Sequence, residues 1–470
     1  MFRFDLEQVL EPEFLTEMIR LFKAYEVPRF VHNQNYYEVK TSILSRTMTN
    51  GKPNNRLAHG FCRYITNMAT SYFMGKPIRY QIEDEAYKEA LYGLFEQNYI
   101  NSLNFEVSKE ASKKGIGFLL LFISEARKLR IKKLAAETVI PVYSPSLDEF
   151  LEAAVRIWSV YDLKGALLCE YADVYDRTSI HHFERPMGAG LYQLRQKDPV
   201  EPHLFSDIPV IVVWNNEERM GDFEPVASLV DAYDRAQSDT ANDMEYFTDA
   251  YLCIRGANEI LATGLEGGED TDEESRQAVQ NFRRNKILLL DEDGQAQWLV
   301  KNVNDAATEN YKNRLYKDIF FLAQVPALSD ESFAGNLSGI AIKYKLIGVE
   351  ELALMKENCF RSAQTKLIRM LTDYLNTLMN KDWDPDEVEQ KYERNFIDNV
   401  SDTINDVRNL EGIISRQTQM DMLPASIVDD TAQELRRIRE ETLQMEELPL
   451  ASVPGAEPET VEVTPDAENE

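Results

Sequence analysis

His181 and His182 stand side by side in a run that reads as β-strand, and paired imidazoles are what a zinc site would use. Neighbours in a strand point to opposite faces, and no Cys or carboxylate stands around them at ligand spacing, so they read as ordinary polar residues. Gly188-Ala-Gly190 and Lys113-Lys-Gly-Ile-Gly117 look like pieces of phosphate-binding loops. Neither ends in the Gly-Lys-Ser/Thr sequence that joins a backbone cradle to a lysine, and both read as turns. Asp270, Asp272, Glu273 and Glu274 could gather Ca²⁺, yet Gly267–Glu274 lacks the twelve-residue EF-hand order and reads as a solvated loop. Cys62, Cys169, Cys253 and Cys359 are far apart with no Cys-x-x-Cys pairing, which points to reduced, mostly buried thiols. The expectation is a protein that is not an enzyme and uses no cofactor and no metal.

The elements that would position any site are set by size and charge. With 470 residues and 44% hydrophobic content, the chain can bury a sizeable core and form several structural units. Arg3, Asp5 and Glu7 break up any apolar leader, and no run reaches the roughly 18 apolar residues of a membrane span, so a cytosolic protein with no membrane partner is expected. The net charge of −29 disfavours tight, sequence-independent gripping of nucleic acid, which normally needs a basic surface. Ten of those charges come from residues 440–470, which hold no Lys or Arg. The rest of the chain is acidic in its own right.

Periodicity divides the chain. Residues 1–130 read mainly as helices, for instance Leu57–Met74, which stops at Gly75-Lys-Pro77. From Glu137 to Trp214 short β-rich runs follow one another, among them 138–143, 154–158 and 208–214. Val226 to Arg255 runs without Gly or Pro at helical spacing, and a helix of that length would span about 45 Å. Lys286–Leu290 and Gln297–Val300 around Asp293-Gly294 predict a hairpin. Two more helices are expected over Val303–Gln324 and Ile340–Asn380, separated by Pro326 and a polar loop. Shorter helices are expected near 400–410, 415–422 and 430–446, and the Pro- and Glu-rich remainder cannot bury enough apolar surface to order itself. Two long helices around a compact insertion, then a loop and a third helix, describe a projecting stalk.

Four segments, in this order and spacing, carry a resemblance. They are Asn54-Asn55-Arg56 with Tyr72-Phe-Met-Gly-Lys-Pro77; Ile208 to Asn216 with Asp222-Phe-Glu224 and Leu229-Val-Asp-Ala-Tyr233; Ser238-Asp239 with Asn242-Asp243; and Val325-Pro326 through Asn336 to Leu346. Over most of its length the chain resembles the tailed-phage portal proteins of the SPP1-type siphophage family. The resemblance implies an α+β, mainly α, portal fold. Its parts would be a helical and β wing (1–225), stem helices at 226–255 and 303–326, an α/β clip (256–302), and a tunnel loop (327–339). A long kinked helix with a wing return (340–395), a helical crown (396–446) and a disordered acidic tail (447–470) would complete it.

The same resemblance implies a dodecameric ring at a capsid vertex of the virion, assembled in the host cytoplasm. Double-stranded DNA would pass through it, a terminase large subunit and a head-completion adaptor would dock on it, and capsid and scaffolding proteins would surround it. Ser329, Gly335, Asn336, Ser338 and Gly339 would form the DNA-facing loop, with Lys343 as a nearby positive charge. Ile287, Leu289 and Trp298 are the clip candidates for partner docking, although the same residues also fit the hairpin's own core or its pairing with a neighbour. A ring needs two different surfaces per subunit, and Tyr311, Tyr316, Phe320 and Phe321 on the second stem helix suit that need. A metal-dependent DNA-processing enzyme is the alternative, but it would need a basic groove beside its carboxylates. An acidic interaction scaffold is the third reading.

Overall fold

The computed structural model describes residues 2–48, 53–247, 251–255, 295–299, 305–328, 344–395, 400–423, 427–428 and 431–446. It divides into two units, Met1–Asn395 and Phe396–Glu470. Leu15, Met18, Ile19 and Phe22 recur every three or four residues and give one buried stripe to helix α2 (Pro12–Tyr37), which follows strand β1 (Phe2–Arg3) and the short α1 (Leu6–Val9). Three further helices complete the N-terminal part: α3 (Phe61–Met74), α4 (Glu85–Asn98) and α5 (Ile100–Lys114). Asp84 starts α4 by accepting the Tyr87 amide at 2.9 Å, and β2 (Arg79–Gln81) lies between α3 and α4.

The helical stretch expected to reach residue 130 ends at Lys114. Ile116-Gly-Phe-Leu-Leu-Leu-Phe-Ile123 is a continuous apolar run that forms β3, a central strand between β4 (Leu129–Leu134) and β11 (Val210–Trp214). Such a run cannot be told from a buried helix by periodicity, since both its faces are covered. The β-rich region beyond it is as expected. A seven-stranded sheet orders β1, β5 (Val139–Tyr143), β6 (Leu151–Tyr161), β7 (Leu167–Tyr175), β8 (Ser179–Pro186) and β10 (Val200–Pro202), with β9 (Gln193–Leu194) also on β8. The β1–β5 pair is parallel and the other pairs are antiparallel. The apolar stripe of α2 joins Val139, Ala154, Val174 and Phe183 from this sheet and Phe118 and Val210 from the smaller one in a single core. Burying each of the Val and Phe side chains contributes about 1.5–3 kcal/mol.

Helix α6 covers Ala227–Phe247 and packs on α7 (Asp305–Leu322). Lys312 Nζ donates to Gln237 Oε1 at 3.5 Å while Tyr233 and Tyr316 both meet Phe61, so the two helices run antiparallel. The helix expected to reach Arg255 therefore stops short. Tyr251–Arg255 is strand β12, paired with β13 (Gln295–Leu299); of the expected hairpin, Lys286–Leu290 lies outside the described residues. Helix α8 (Ile347–Met379) follows, and β14 (Glu389–Lys391) pairs back onto β2.

In the second unit, α9 (Val400–Asn409), α10 (Arg416–Asp421) and α11 (Thr431–Glu446) fall within a residue or so of their expected bounds. Ser415 caps α10 by accepting the Thr418 amide at 3.2 Å.

Candidate functional site

Asn54-Asn55-Arg56 and the polar residues inside α6 were separate signals in the sequence, and they bind each other. Residues 53–60 lie extended along α6, where Asn55 N donates to Asn242 Oδ1 (2.7 Å), Leu57 N to Ser238 Oγ (3.0 Å) and His59 N to Asp234 Oδ1 (3.0 Å). Every second residue of the strap thus meets every fourth residue of the helix, in opposite directions. The registers agree physically: two extended residues advance about 6.6 Å and four helical residues about 6 Å. Asn54 and Arg56, on the strap's other side, donate to the carbonyls of Arg46 and Leu44 at 3.1 and 2.9 Å. The expected helix over Leu57–Met74 consequently begins only at Phe61, because Leu57 and His59 spend their amides on α6.

Farther along the same face, Asp231 accepts from Tyr36 Oη (2.8 Å) and Ser42 Oγ (2.7 Å), and Asp234 Oδ2 accepts from Thr41 Oγ1 (2.5 Å). Burial and the Asp231 carboxylate push the Tyr36 phenol up to about 12. Burial, with Asp234 and Asp231 nearby, pushes the buried Cys62 thiol up to about 12, which leaves it inert. Cys169 and Cys359 are half-buried.

An aromatic cluster joins the helices below the strap. Phe61 of α3 meets Tyr233 of α6 edge-on at 5.0 Å and Phe320 of α7 at 5.8 Å, and Tyr64 meets Phe320 at 5.4 Å. Tyr64 Oη also donates to the Pro326 carbonyl at 2.8 Å and accepts the Leu328 amide at 3.3 Å. The chain leaving α7 is therefore clamped to α3 just before residue 329.

The Asn215-Asn216 and Asp222-Phe-Glu224 signals form a third set of contacts. Asn216 Oδ1 accepts the Met220 amide at 2.9 Å and closes the loop, while Glu224 accepts from Arg29 Nε at 3.0 Å. Asp222, fully buried at its side chain, accepts from Lys356 Nζ at 2.7 Å, from Asn215 Nδ2 at 2.8 Å and from Ser112. Lys356 Nζ reaches Asn215 Oδ1 at 2.5 Å. Burial lowers the Lys356 pKa, and Asp222 opposes that shift. Gly115 lets the loop come this close, since its φ is +82° and a Cβ there would collide with the Arg219 carbonyl. Of the stretch expected to be a turn, Lys113 and Lys114 end α5, Ile116 and Gly117 open β3, and Gly115 alone makes the bend between them.

The two histidines part company as strand geometry requires. His181 Nε2 lies 2.7 Å from Asp176 and His182 Nδ1 2.6 Å from Asp173, and among the described residues no group of three His, Cys, Asp or Glu could hold a metal. The Asp173 bond raises the His182 pKa, so its stabilisation is fully present below the unfolded value and is lost as pH rises through the folded one. His182→Asn is therefore expected to lower the melting temperature more at pH 5.5 than at pH 8.5, and equal losses at both would contradict the pairing.

Ser329, Gly335, Asn336, Ser338, Gly339, Lys343, Ile287 and Leu289 lie outside the described residues. Trp298 is on β13, in register with Leu252. Of the four aromatics expected to serve neighbours, Tyr316 and Phe320 are instead committed to the aromatic cluster, and Tyr311 and Phe321 are exposed. Missed in the sequence were Lys356, Asp234 and Tyr64, of which only Lys356 carried a signal, a charge on the apolar face of a long helix.

Strap, aromatic cluster and buried ion pair hold an antiparallel helix pair and the start of a loop on a mixed α/β body. The chain belongs to the family described as "Phage portal protein, SPP1 Gp6-like", whose model matches residues 23–447. It is similar to the portal protein of Bacillus phage SPP1 (24% identity; 94% of this chain, 89% of that protein). It is also similar to the portal protein of Clostridium phage phiCD119 (24% identity; 81% of this chain, 86% of that protein). Among solved structures, the neck of an empty GTA particle, computed with C6 symmetry, is 14% identical over 78% of this chain and 90% of that chain, with a TM-score of 0.44.

Proposed function

We propose that the chain is the subunit of a ring-shaped portal channel at a capsid vertex, through which double-stranded DNA enters during packaging and leaves at ejection. Family membership supplies the class of protein. The observation that carries the reading further is the seat of the loop root, because Tyr64 holds the Pro326 carbonyl and the Leu328 amide just beyond the end of an anchored helix pair. A loop seated in this way can touch a moving duplex without dragging the body along.

The net charge of −29 suits conduction rather than binding, since an acidic lining repels phosphate along its length and offers no deep well in which DNA would stall. In this reading 327–339 is the tunnel loop, with Ser329, Gly335, Asn336, Ser338, Gly339 and Lys343 facing DNA. The segment 256–302, with Ile287, Leu289 and Trp298, is the clip on which a terminase and then a head-completion protein dock. ATP hydrolysis belongs to the terminase, and the ring has twelve subunits. Replacing Asn336-Leu-Ser-Gly339 by bulky or anionic residues is expected to leave assembly intact and to block packaging, scored as DNA-filled heads. Filled heads at the normal yield would remove the loop assignment.

A further inference from the structure

We propose that the exposed face of α7 docks on the exposed face of α8 in a second copy of the same chain, each copy offering one face to each neighbour. The proposal rests on the ring reading and names the surfaces that close it.

Helix α7 buries Lys312, Leu315, Ile319 and Phe320. Tyr311, Arg314, Lys317 and Phe321 occupy its opposite stripe, at steps of three, three and four residues, and all are exposed. Arg314 has 83% of its side chain in solvent and only a distant carboxylate, Asp318 at 4.0 Å. Lys317 has no ion-pair partner among the described residues. Two cations bracketed by two aromatics form a sticky, basic strip on a chain whose net charge is −29.

Helix α8 carries the opposite strip. Ile347, Glu351, Leu354, Met355 and Asn358 share its exposed stripe, with the carboxylate set between aliphatic groups. Glu351 has no ion-pair partner among the described residues. Glu217 and Glu218, exposed on the loop beside Cys359, add negative charge at the far end; burial and then these two carboxylates raise that thiol's pKa. The strips also match in length, at about 15 Å from Tyr311 to Phe321 and about 16 Å from Ile347 to Asn358.

A two-fold contact of α7 with α7 would set cation against cation, so charge selects the head-to-tail pairing, and a head-to-tail contact repeated by rotation gives a ring. The aromatics and the aliphatic side chains supply the apolar contact, and the charges fix the register.

The test uses the full chain and mass photometry. Arg314→Glu with Lys317→Glu is expected to weaken assembly on the order of a hundredfold while the circular dichroism spectrum and melting temperature stay unchanged, because like charges would then face each other. Adding Glu351→Arg, Glu217→Lys and Glu218→Lys to that variant reverses both strips and is expected to restore rings. Rings formed by the first variant at the wild-type concentration would overturn the choice of faces and leave the portal reading standing. So would failure of the doubly reversed chain to recover. Loss of adaptor binding with rings intact would assign the α7 strip to that protein instead, and would also overturn the proposal. A wild-type chain that remains a monomer would overturn the ring reading itself.

Discussion

Lys356→Met is expected to cost about 3–5 kcal/mol of stability, because it leaves the Asp222 carboxylate buried without a cation. Asp222 would keep its bonds from Asn215 and Ser112, but two neutral donors do not replace an ammonium in a site closed to water. Asp222→Asn strands the opposite partner, and its cost depends on pH. Burial already holds the Lys356 pKa low, and loss of the carboxylate lowers it further, so the folded variant binds fewer protons at that amine than the unfolded chain. Stability of Asp222→Asn should therefore rise with pH until the unfolded lysine loses its proton near pH 10.4, roughly its ordinary pKa. Removing both charges, as Asp222→Leu with Lys356→Met, should recover most of the loss. Urea denaturation of the three variants checks this, and a Lys356→Met chain as stable as wild type would show that the pair is not closed to water.

Asp234→Ala is expected to cost on the order of 3 kcal/mol and to release the strap, because the Asp234 carboxylate accepts from Thr41 Oγ1 and from the backbone of His59, and also faces His59 Nδ1 at 2.7 Å. Hydrogen exchange should show the Asn55, Leu57 and His59 amides losing protection together, as one unit. The Val210–Trp214 strand, bonded elsewhere, should keep its protection. Unchanged exchange at Leu57 would mean that Ser238 and Asn242 hold the strap without Asp234.

Periodicity and breakers made much of this architecture legible. The three C-terminal helices and the two helices flanking the insertion follow from unbroken helical spacing between breakers, and the sheet region follows from short β-branched runs. The end of α6 was not legible. No Gly or Pro stands between Phe247 and Tyr251, so the pattern continued through a change from helix to strand, although Tyr251 and Ile254 favour strand. Glycine disfavours a helix interior, and the use of Gly348 in α8 appears only in three dimensions: a Cβ there would stand 3.1 Å from the Gln324 carbonyl just past the end of α7. Site residues showed the same division. Asn55 and Asn242 stood out in separate segments, but that they bind each other, two residues before Leu57 meets Ser238, is a long-range fact, set by two registers that a linear reading never places side by side. Tyr64 looked like any aromatic on an apolar helix face, because its phenol meets the backbone of residues more than 260 positions away.

Electron micrographs of the purified full-length chain bear most directly on the central claim, that the chain is a portal subunit. The expected result is a ring of identical subunits around an open channel wide enough for a DNA duplex; a population made up only of compact monomers would contradict it.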